Sequence, residues 1–330
     1  MRTEARFGDV TPGAAHYESF FAKLVHPDGG RGAWIRHTVH KPPNADPTGS
    51  IWLTYFDADR PAPLAAKATF QADSVDPGDG AYLTIAGSSL GPDRVDGSIQ
   101  TDALEASWNL EFESRREPLN HLSRERMYRS RLPRTKLRTP HPGAIFSGAL
   151  IIGGEEIPVE GWPGMVGHNW GTEHAQRWMW LHVAGFDEGP ADEYVDIGVG
   201  RVRIGPLTTP WIANGRIAAE GEELGIGGFG HVYGTEIEVE GTTVEFVLPG
   251  KNVNLRGSVS APAERFVGWV YSDPGGGEHN VINCSVADLE LKLERAGKKH
   301  ARLKCTGRAT LELGMPETDH GIPMQPFSDG

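Results

Sequence analysis

Cysteine is nearly missing from this chain of 330 residues. Only Cys284 and Cys305 occur, in no C-x-x-C pair. That excludes a disulfide-stapled scaffold and a cysteine zinc finger, and it fits a reducing cytoplasm, the expected location. Basic charge is also in deficit: 32 Lys and Arg stand against 44 Asp and Glu, a net charge of -12. No overall positive field exists for non-specific nucleic-acid binding, so no nucleic-acid partner is expected. No run of eighteen apolar residues appears, and the opening Met1–Gly13 has no apolar h-region. Neither a membrane span nor a signal peptide is expected. Repeated βαβ units are lacking too, which argues against a doubly wound sheet.

What the chain does have is glycine and proline, 43 and 24 of them, scattered as punctuation between short segments. The segments alternate with period two: Trp34–Val39, Ile51–Phe56, Lys67–Phe70, Ala81–Ile85, Ser107–Phe112 and Ala144–Ile152 read as strands. Tyr194–Arg203, Thr235–Val239, Thr242–Leu248, Phe266–Tyr271, Val281–Glu294 and Ala301–Leu313 read the same way. Turn signals separate them, such as Asp28-Gly29-Gly30, Pro77-Gly78-Asp79-Gly80 and Pro274-Gly275-Gly276-Gly277. Two short helices are expected, at His16–Val25 and Asn120–Arg131. The strands fall into two groups joined by the charged stretch Glu113–Pro142. The reading is therefore all-β, two tandem antiparallel barrels or sandwiches, 1–160 and 161–330, with little helix. The tail from Met315 is expected to lie extended over the surface.

Chemistry concentrates in Gly167–His182, GHNWGTEHAQRWMWLH, which holds three of nine tryptophans and three histidines. Acid–base groups set among aromatic faces suit an apolar, π-rich ligand. Two other motifs are discounted. Gly225–Gly230 fits G-x-G-x-x-G but leads into His231-Val232-Tyr233 and an expected strand, where a dinucleotide fingerprint opens a helix. Gly87–Gly91 fits G-x-S-x-G but reads as a turn, since no helix follows to make a nucleophile elbow. His168, Glu173, His174 and His182 are metal-ligand types, yet their spacing matches neither H-E-x-x-H nor a finger, and no metal is expected. In Tyr194-Val195-Asp196, the residues Val195, Ile197 and Val199 share one face, and Tyr194, Asp196, Gly198 and Gly200 the other. In a plain sandwich the second face is wet. In a barrel with an internal cavity it turns inward, and the two glycines leave room for a ligand.

At these residues the chain resembles the hydroxyneurosporene synthases (carotenoid 1,2-hydratases) and their tocopherol-cyclase-like and Diels–Alderase-like relatives, which are built from two lipocalin-type (calycin) barrels. The likeness rests on His168-Asn169-Trp170, placed in a Gly-rich turn, and on Tyr194-Val195-Asp196 two dozen residues later. Looser matches are His16–Phe21 before Trp34-Ile35-Arg36, and Val281–Ser285 before a long C-terminal strand. Gly167 stands where the hydratases usually carry an acid, and Glu173-His174 has no secure counterpart. The resemblance implies two lipocalin-like barrels meeting near residue 160. It also implies a cofactor-free hydratase, cyclase or isomerase acting on an isoprenoid or polyene. Asp196 would be a buried, protonated acid, with Tyr194 and His168 as orienting partners or relays and Trp170 in the catalytic group. Trp178, Trp180, His182, Glu173 and His174 would bind substrate, the tryptophans offering π faces to a developing cation. Two other readings stand beside it: a carrier of an apolar ligand or lipid, and a pericyclase working by shape alone.

Overall fold

The computed structural model describes residues 3–78, 80–114, 116–318 and 320–325. Asp79 of the 77–80 turn, Arg115 of the joining stretch and the tail beyond 325 lie outside the described residues. Among the described residues no helix is long and apolar enough to cross a membrane.

Two large antiparallel sheets make up the molecule, each curled like a barrel, as the alternation predicts. The first is built from β1 (His16–Val25), β2 (Arg31–Lys41), β3 (Thr48–Asp57), β4 (Leu64–Phe70), β5 (Val75–Asp76), β6 (Leu83–Ile85) and β7 (Ser88–Leu90). It continues through β8 (Arg94–Gln100), β9 (Glu105–Glu113), β10 (Leu119–Asn120), β11 (Thr135–Ile152) and β12 (Glu155–Gly171). Its order is β4-β3-β2-β1-β12-β11-β9-β8-β7-β6-β5, with β10 on β11. The second contains β13 (Arg177–Ala184) and β14 (Tyr194–Arg201), then, beyond a small hairpin of β15 (Arg203–Ile204) and β16 (Leu207–Thr208), β17 (Ile212–Ala219) and β18 (Glu222–Gly227). After these come β19 (Glu236–Glu240), β20 (Thr243–Gly250), β21 (Val253–Ser260), β22 (Val267–Ser272), β23 (Glu278–Arg295) and β24 (Ala301–Met315). The run β18-β17-β14-β13-β24-β23-β21-β20 is closed by a β18–β20 pairing at Ile226 and Gly250, which removes the open edges of that barrel. Residue 160 lies inside β12, whose full length pairs in the first sheet; the chain passes to the second sheet between Gly171 and Arg177.

Alternation shows where one face is wet. Along β9, Trp108, Leu110 and Phe112 are buried while Glu105, Asn109, Glu111 and Glu113 are exposed. Alternation is absent where both faces are covered, and there the sequence reading goes astray. The helix expected at His16–Val25 is strand β1, every residue of it buried. Its Phe20, Ala22 and Leu24 fill the first barrel, whereas Phe21 belongs to the core continuous with the second. With no polar face to set a period of two, the segment looks helical by composition alone. The helix expected at Asn120–Arg131 shrinks to α1 (Glu125–Arg129). His168-Asn169-Trp170 is part of β12 and not a turn, and Phe229–Gly234 forms a 3-10 turn ahead of the expected strand, which is β19. The tail follows its expectation as far as Met324, which bridges to Gly268 on β22.

The outer face of β1–β3 packs on β22–β24, so the two barrels share one apolar seam. Trp34, Trp52 and Trp269 meet there, with Trp52 and Trp269 ring centres 4.9 Å apart and Tyr271 5.8 Å from Trp52. Such aromatic pairs add to the area they bury. Trp269→Ala is expected to cost about 3–5 kcal/mol and to split a shared thermal transition into two, read by differential scanning calorimetry. An unshifted single transition would show that the seam does not couple the barrels.

Candidate functional site

Val195, Ile197 and Val199 of β14 point into the second barrel and are part of its packed core. The opposite face, with Tyr194, Asp196, Gly198 and Gly200, is the barrel's outer wall. It is neither wet nor internal. The first domain covers it, and a cavity of about 420 Å³ remains between the two. This is a third arrangement, one that a single strand's pattern does not contain. Trp178, Trp180, Gly198 and Gly200 line the cavity from the second barrel; Trp34 and Asn169 line it from the first. Gly200 leaves room, since a Cβ there would meet nothing nearer than 3.4 Å, whereas a Cβ on Gly198 would press on Leu137 at 3.2 Å.

The two cavity tryptophans of the second barrel are each held by a buried carboxyl group. Trp180 Nε1 donates to Asp196 Oδ1 at 2.9 Å, and Trp178 Nε1 donates to Glu312 Oε1 at 2.9 Å. Glu312 Oε2 also accepts from Tyr271 Oη at 3.2 Å and from Asn283 Nδ2 at 3.1 Å. Asp196 Oδ2 accepts the Thr139 hydroxyl proton and lies 3.4 Å from His121 Nε2. His121 Nδ1 donates to the Asn214 carbonyl at 3.1 Å.

The expectation that burial keeps Asp196 protonated is overturned by this shell. Burial does push its carboxyl up, but His121, His182 and Thr139 together draw it down to about 2. Asp196 is therefore a carboxylate at neutral pH. It anchors an indole and has no proton to deliver.

The remaining expected residues separate into groups. His168 and Trp170 point away from the cavity into the first barrel, and it is the residue between them, Asn169, that reaches the cavity wall. His168 Nε2 donates to Glu18 Oε1 at 2.7 Å, and its ring stacks on Phe20 at 3.9 Å and on Trp170 at 4.4 Å. Glu18, buried yet held down to about 2 by His16 and His168, also receives the Arg6 and Phe7 backbone N–H groups. That cluster ties the N-terminal segment to the barrel. Tyr194 donates to Glu223 at 3.2 Å beside Leu119 and Ala218, outside the cavity lining. His182 faces the buried Lys23, whose Nζ is 3.4 Å from its Nδ1; burial takes the imidazole down to about 3 and the amine to about 7. Glu173 pairs with Arg134 at the cavity rim.

His174 carries most of the cavity's chemistry. Its Nδ1 donates to Asp273 Oδ1 at 2.7 Å, its backbone N–H donates to the same oxygen, and its ring stacks on Tyr17 at 4.0 Å. Nε2 is buried without a partner. Burial holds the imidazole below its ordinary value despite Asp273, so it is neutral at pH 7. His279 Nε2 bonds the other Asp273 oxygen at 3.0 Å.

The ligand atoms of His174, Asp273 and His279 lie within 4.8 Å of one another, as a metal site requires. However, a ligating histidine normally ties its outer nitrogen to a second partner, and His174 Nε2 and His279 Nδ1 have none. Asp273 Oδ1 is already taken up by a backbone N–H. The pattern is that of a carboxylate orienting two imidazoles. His121, Thr139, Asp273, His279 and Glu312 escape the sequence reading because nothing local marks them; each acts through a partner at least six residues away.

No protein-family model matches the chain. Two Mycobacterium tuberculosis proteins, the uncharacterized proteins Rv0493c (strain H37Rv) and MT0513 (strain CDC 1551), are each 28% identical over 318 residues, 94% of this chain and 91% of theirs. Among solved structures, a putative AttH from Nitrosomonas europaea superposes with a TM-score of 0.57 at 12% identity, covering 93% of this chain and 94% of that one. Kievitone hydratase from Nectria haematococca superposes with a TM-score of 0.52 at 8% identity, covering 96% and 95%. The likeness is one of fold. It spans both barrels and agrees with the double lipocalin-like architecture.

Depressed carboxyls, Glu18, Asp196 and Asp273 among the buried ones, make the protein acid-sensitive. Glu18 and Asp196 both sit near 2 in the fold, below their ordinary 4.5 and 3.8. A lowered folded value gives stability that is present above the unfolded value and lost as pH falls through the folded one. Urea midpoints should therefore fall most steeply between about pH 4.5 and 2. Asp196→Asn should flatten that limb by about 2 kcal/mol; an unchanged limb would remove Asp196 from the account.

Proposed function

We propose that the protein is a cofactor-independent enzyme of the hydratase or cyclase kind, acting on an apolar unsaturated molecule, an isoprenoid or polyene, bound between its two barrels. The observation that carries this reading is His174: a carboxylate-oriented imidazole with a free, buried Nε2 on the wall of a tryptophan-lined cavity. The hydratase among the fold neighbours is consistent with it.

A neutral imidazole held by Asp273 is a base at rest. It takes a proton from water as the oxygen bonds the far carbon of an alkene conjugated to a carbonyl, the π electrons moving onto that carbonyl. As imidazolium it returns the proton to the carbon next to the carbonyl. Asp273 orients the ring and stabilises its charged form. Asp196 is anionic, and the two carboxyls on the cavity wall among the described residues, Glu173 and Glu312, are bonded to Arg134 and to Trp178, Tyr271 and Asn283 respectively. This chemistry therefore favours an alkene conjugated to a carbonyl over an isolated one, which would need a stronger acid. The Trp178 and Trp180 indoles, fixed by Glu312 and Asp196, give the ligand flat apolar faces to pack on. The unpartnered Oδ1 of Asn169 offers an acceptor for a hydroxyl on the ligand or for the water itself. A carrier would use the same apolar walls but would not need the His174–Asp273 pair.

With a panel of polyenes and prenylated compounds, tryptophan quenching reports binding, and oxygen-labelled water reports hydration. Asp273→Asn and His174→Gln are expected to lower kcat/KM by about 10²–10⁴-fold with binding retained. Gly200→Leu should abolish binding by filling the cavity. The rate should fall on the acid side, below the ordinary histidine value of 6.5, as His174 takes up its proton. Ligand binding without turnover, unaffected by Asp273→Asn, would establish the carrier instead.

A further inference from the structure

Around the cavity's mouth the surface changes character. Seven large apolar side chains are strongly exposed among the described residues, and three of them, Leu132, Ile204 and Phe229, line the mouth itself. Two more sit on the same small elements: Leu207, 73% exposed, pairs with Ile204 across the β15–β16 hairpin, and Tyr233, 94% exposed, shares the 3-10 turn of Phe229. Three separate segments thus present bare apolar groups at one opening, where isolated exposed residues would be scattered.

Charge is uneven in the same place. The chain is acidic overall, yet residues 121–138 carry six arginines and one lysine against a single acid, Glu125. This segment forms one lip of the mouth through Leu122, Met127, Leu132 and Arg134. Lys136 and Arg138 turn inward, but Arg124, Arg126, Arg129, Arg131 and Arg134 are exposed. Only charge within about a Debye length, roughly 8 Å, is felt at a contact surface, so the lip is positive whatever the net charge of the whole.

We infer that this mouth docks on an anionic lipid surface, with Leu207, Tyr233 and their neighbours entering the headgroup layer and the arginines of the lip meeting lipid phosphates. Exposed aromatic and aliphatic groups rimmed by arginine are the composition that an interfacial site requires. A membrane is also where an apolar ligand would be stored, and the opening faces it directly. The inference rests on the proposed apolar ligand for its purpose, but vesicle binding is measured without any ligand, so the two can fail separately.

The test is flotation of the purified full chain with phosphatidylcholine vesicles, with and without phosphatidylglycerol. Binding to the anionic vesicles, weakened by salt, is expected, with far less on pure phosphatidylcholine. Arg124→Glu, Arg126→Glu and Arg131→Glu together should reduce it by about a hundredfold or more. Leu207→Ser with Tyr233→Ser should reduce it by about tenfold. All five positions are exposed and outside the cavity lining, so melting temperature and tryptophan quenching by a soluble ligand should be unchanged. No binding to anionic vesicles at low salt, or binding indifferent to both variants, would overturn the inference. Self-association removed by the same substitutions would replace the lipid with a second copy of the chain and overturn it too.

Discussion

The structure depends on covering a polar wall. The outer face of β13, β14 and β24 carries Trp178, Trp180, His182, Asp196 and Glu312, groups that a free barrel would leave in water. The first domain closes over them, and a buried carboxylate is costly unless every oxygen is matched. Here each one is. Indole N–H groups, the Tyr271 and Thr139 hydroxyls and the Asn283 amide donate to Glu312 and Asp196. The seam between the domains is therefore held by apolar packing through Trp34, Trp52 and Trp269, and of these polar contacts the one from Thr139 to Asp196 crosses it. The cavity is the space that remains between two surfaces constrained in this way.

The same constraint divides labour among groups that look alike in sequence. Asp196 and Asp273 are both buried beside imidazoles, yet Asp196 has two oxygens committed to an indole and a hydroxyl, while Asp273 holds a ring whose far nitrogen is free. One carboxylate fixes the wall and the other orients an imidazole. His168, which looks like the centre of the motif, is committed to Glu18 inside the first barrel and serves to fasten the N-terminal segment. Pre-organised faces with a single unsatisfied acid–base atom are what proton-transfer sites need, since reorganisation has been completed on folding.

Much of the architecture was legible because alternation is a direct imprint of half-buried strands. The segments Ser107–Phe112, Val281–Glu294 and Ala301–Leu313 alternate and were read correctly. His16–Val25 was misread because both its faces are buried, which erases the period. The His-x-Trp of β12 was found, but its direction was not: Asn169, not its neighbours, meets the cavity, a fact settled by the register of β12 against β1. Asp196 was identified as buried and its charge state was misjudged, because desolvation is implied by sequence while His121 and Thr139, which reverse it, come from a joining stretch and a different sheet.

Taken alone, the amino-acid order determined the all-β class, the division into two groups of strands, the shared face of Tyr194 and Asp196, and the aromatic, histidine-rich character of residues 167–182. These follow from local periodicity and composition, which are written residue by residue. Only the tertiary structure decided that the site lies between the barrels and not within one, that His174 and not Asp196 has a free acid–base atom, and that the arginines of residues 121–138 lie at the cavity's mouth. Each of those depends on which surfaces and polar partners meet across tens of residues of chain, as Thr139 meets Asp196 and His174 meets Asp273, and hydrogen bonds of that range leave no local trace.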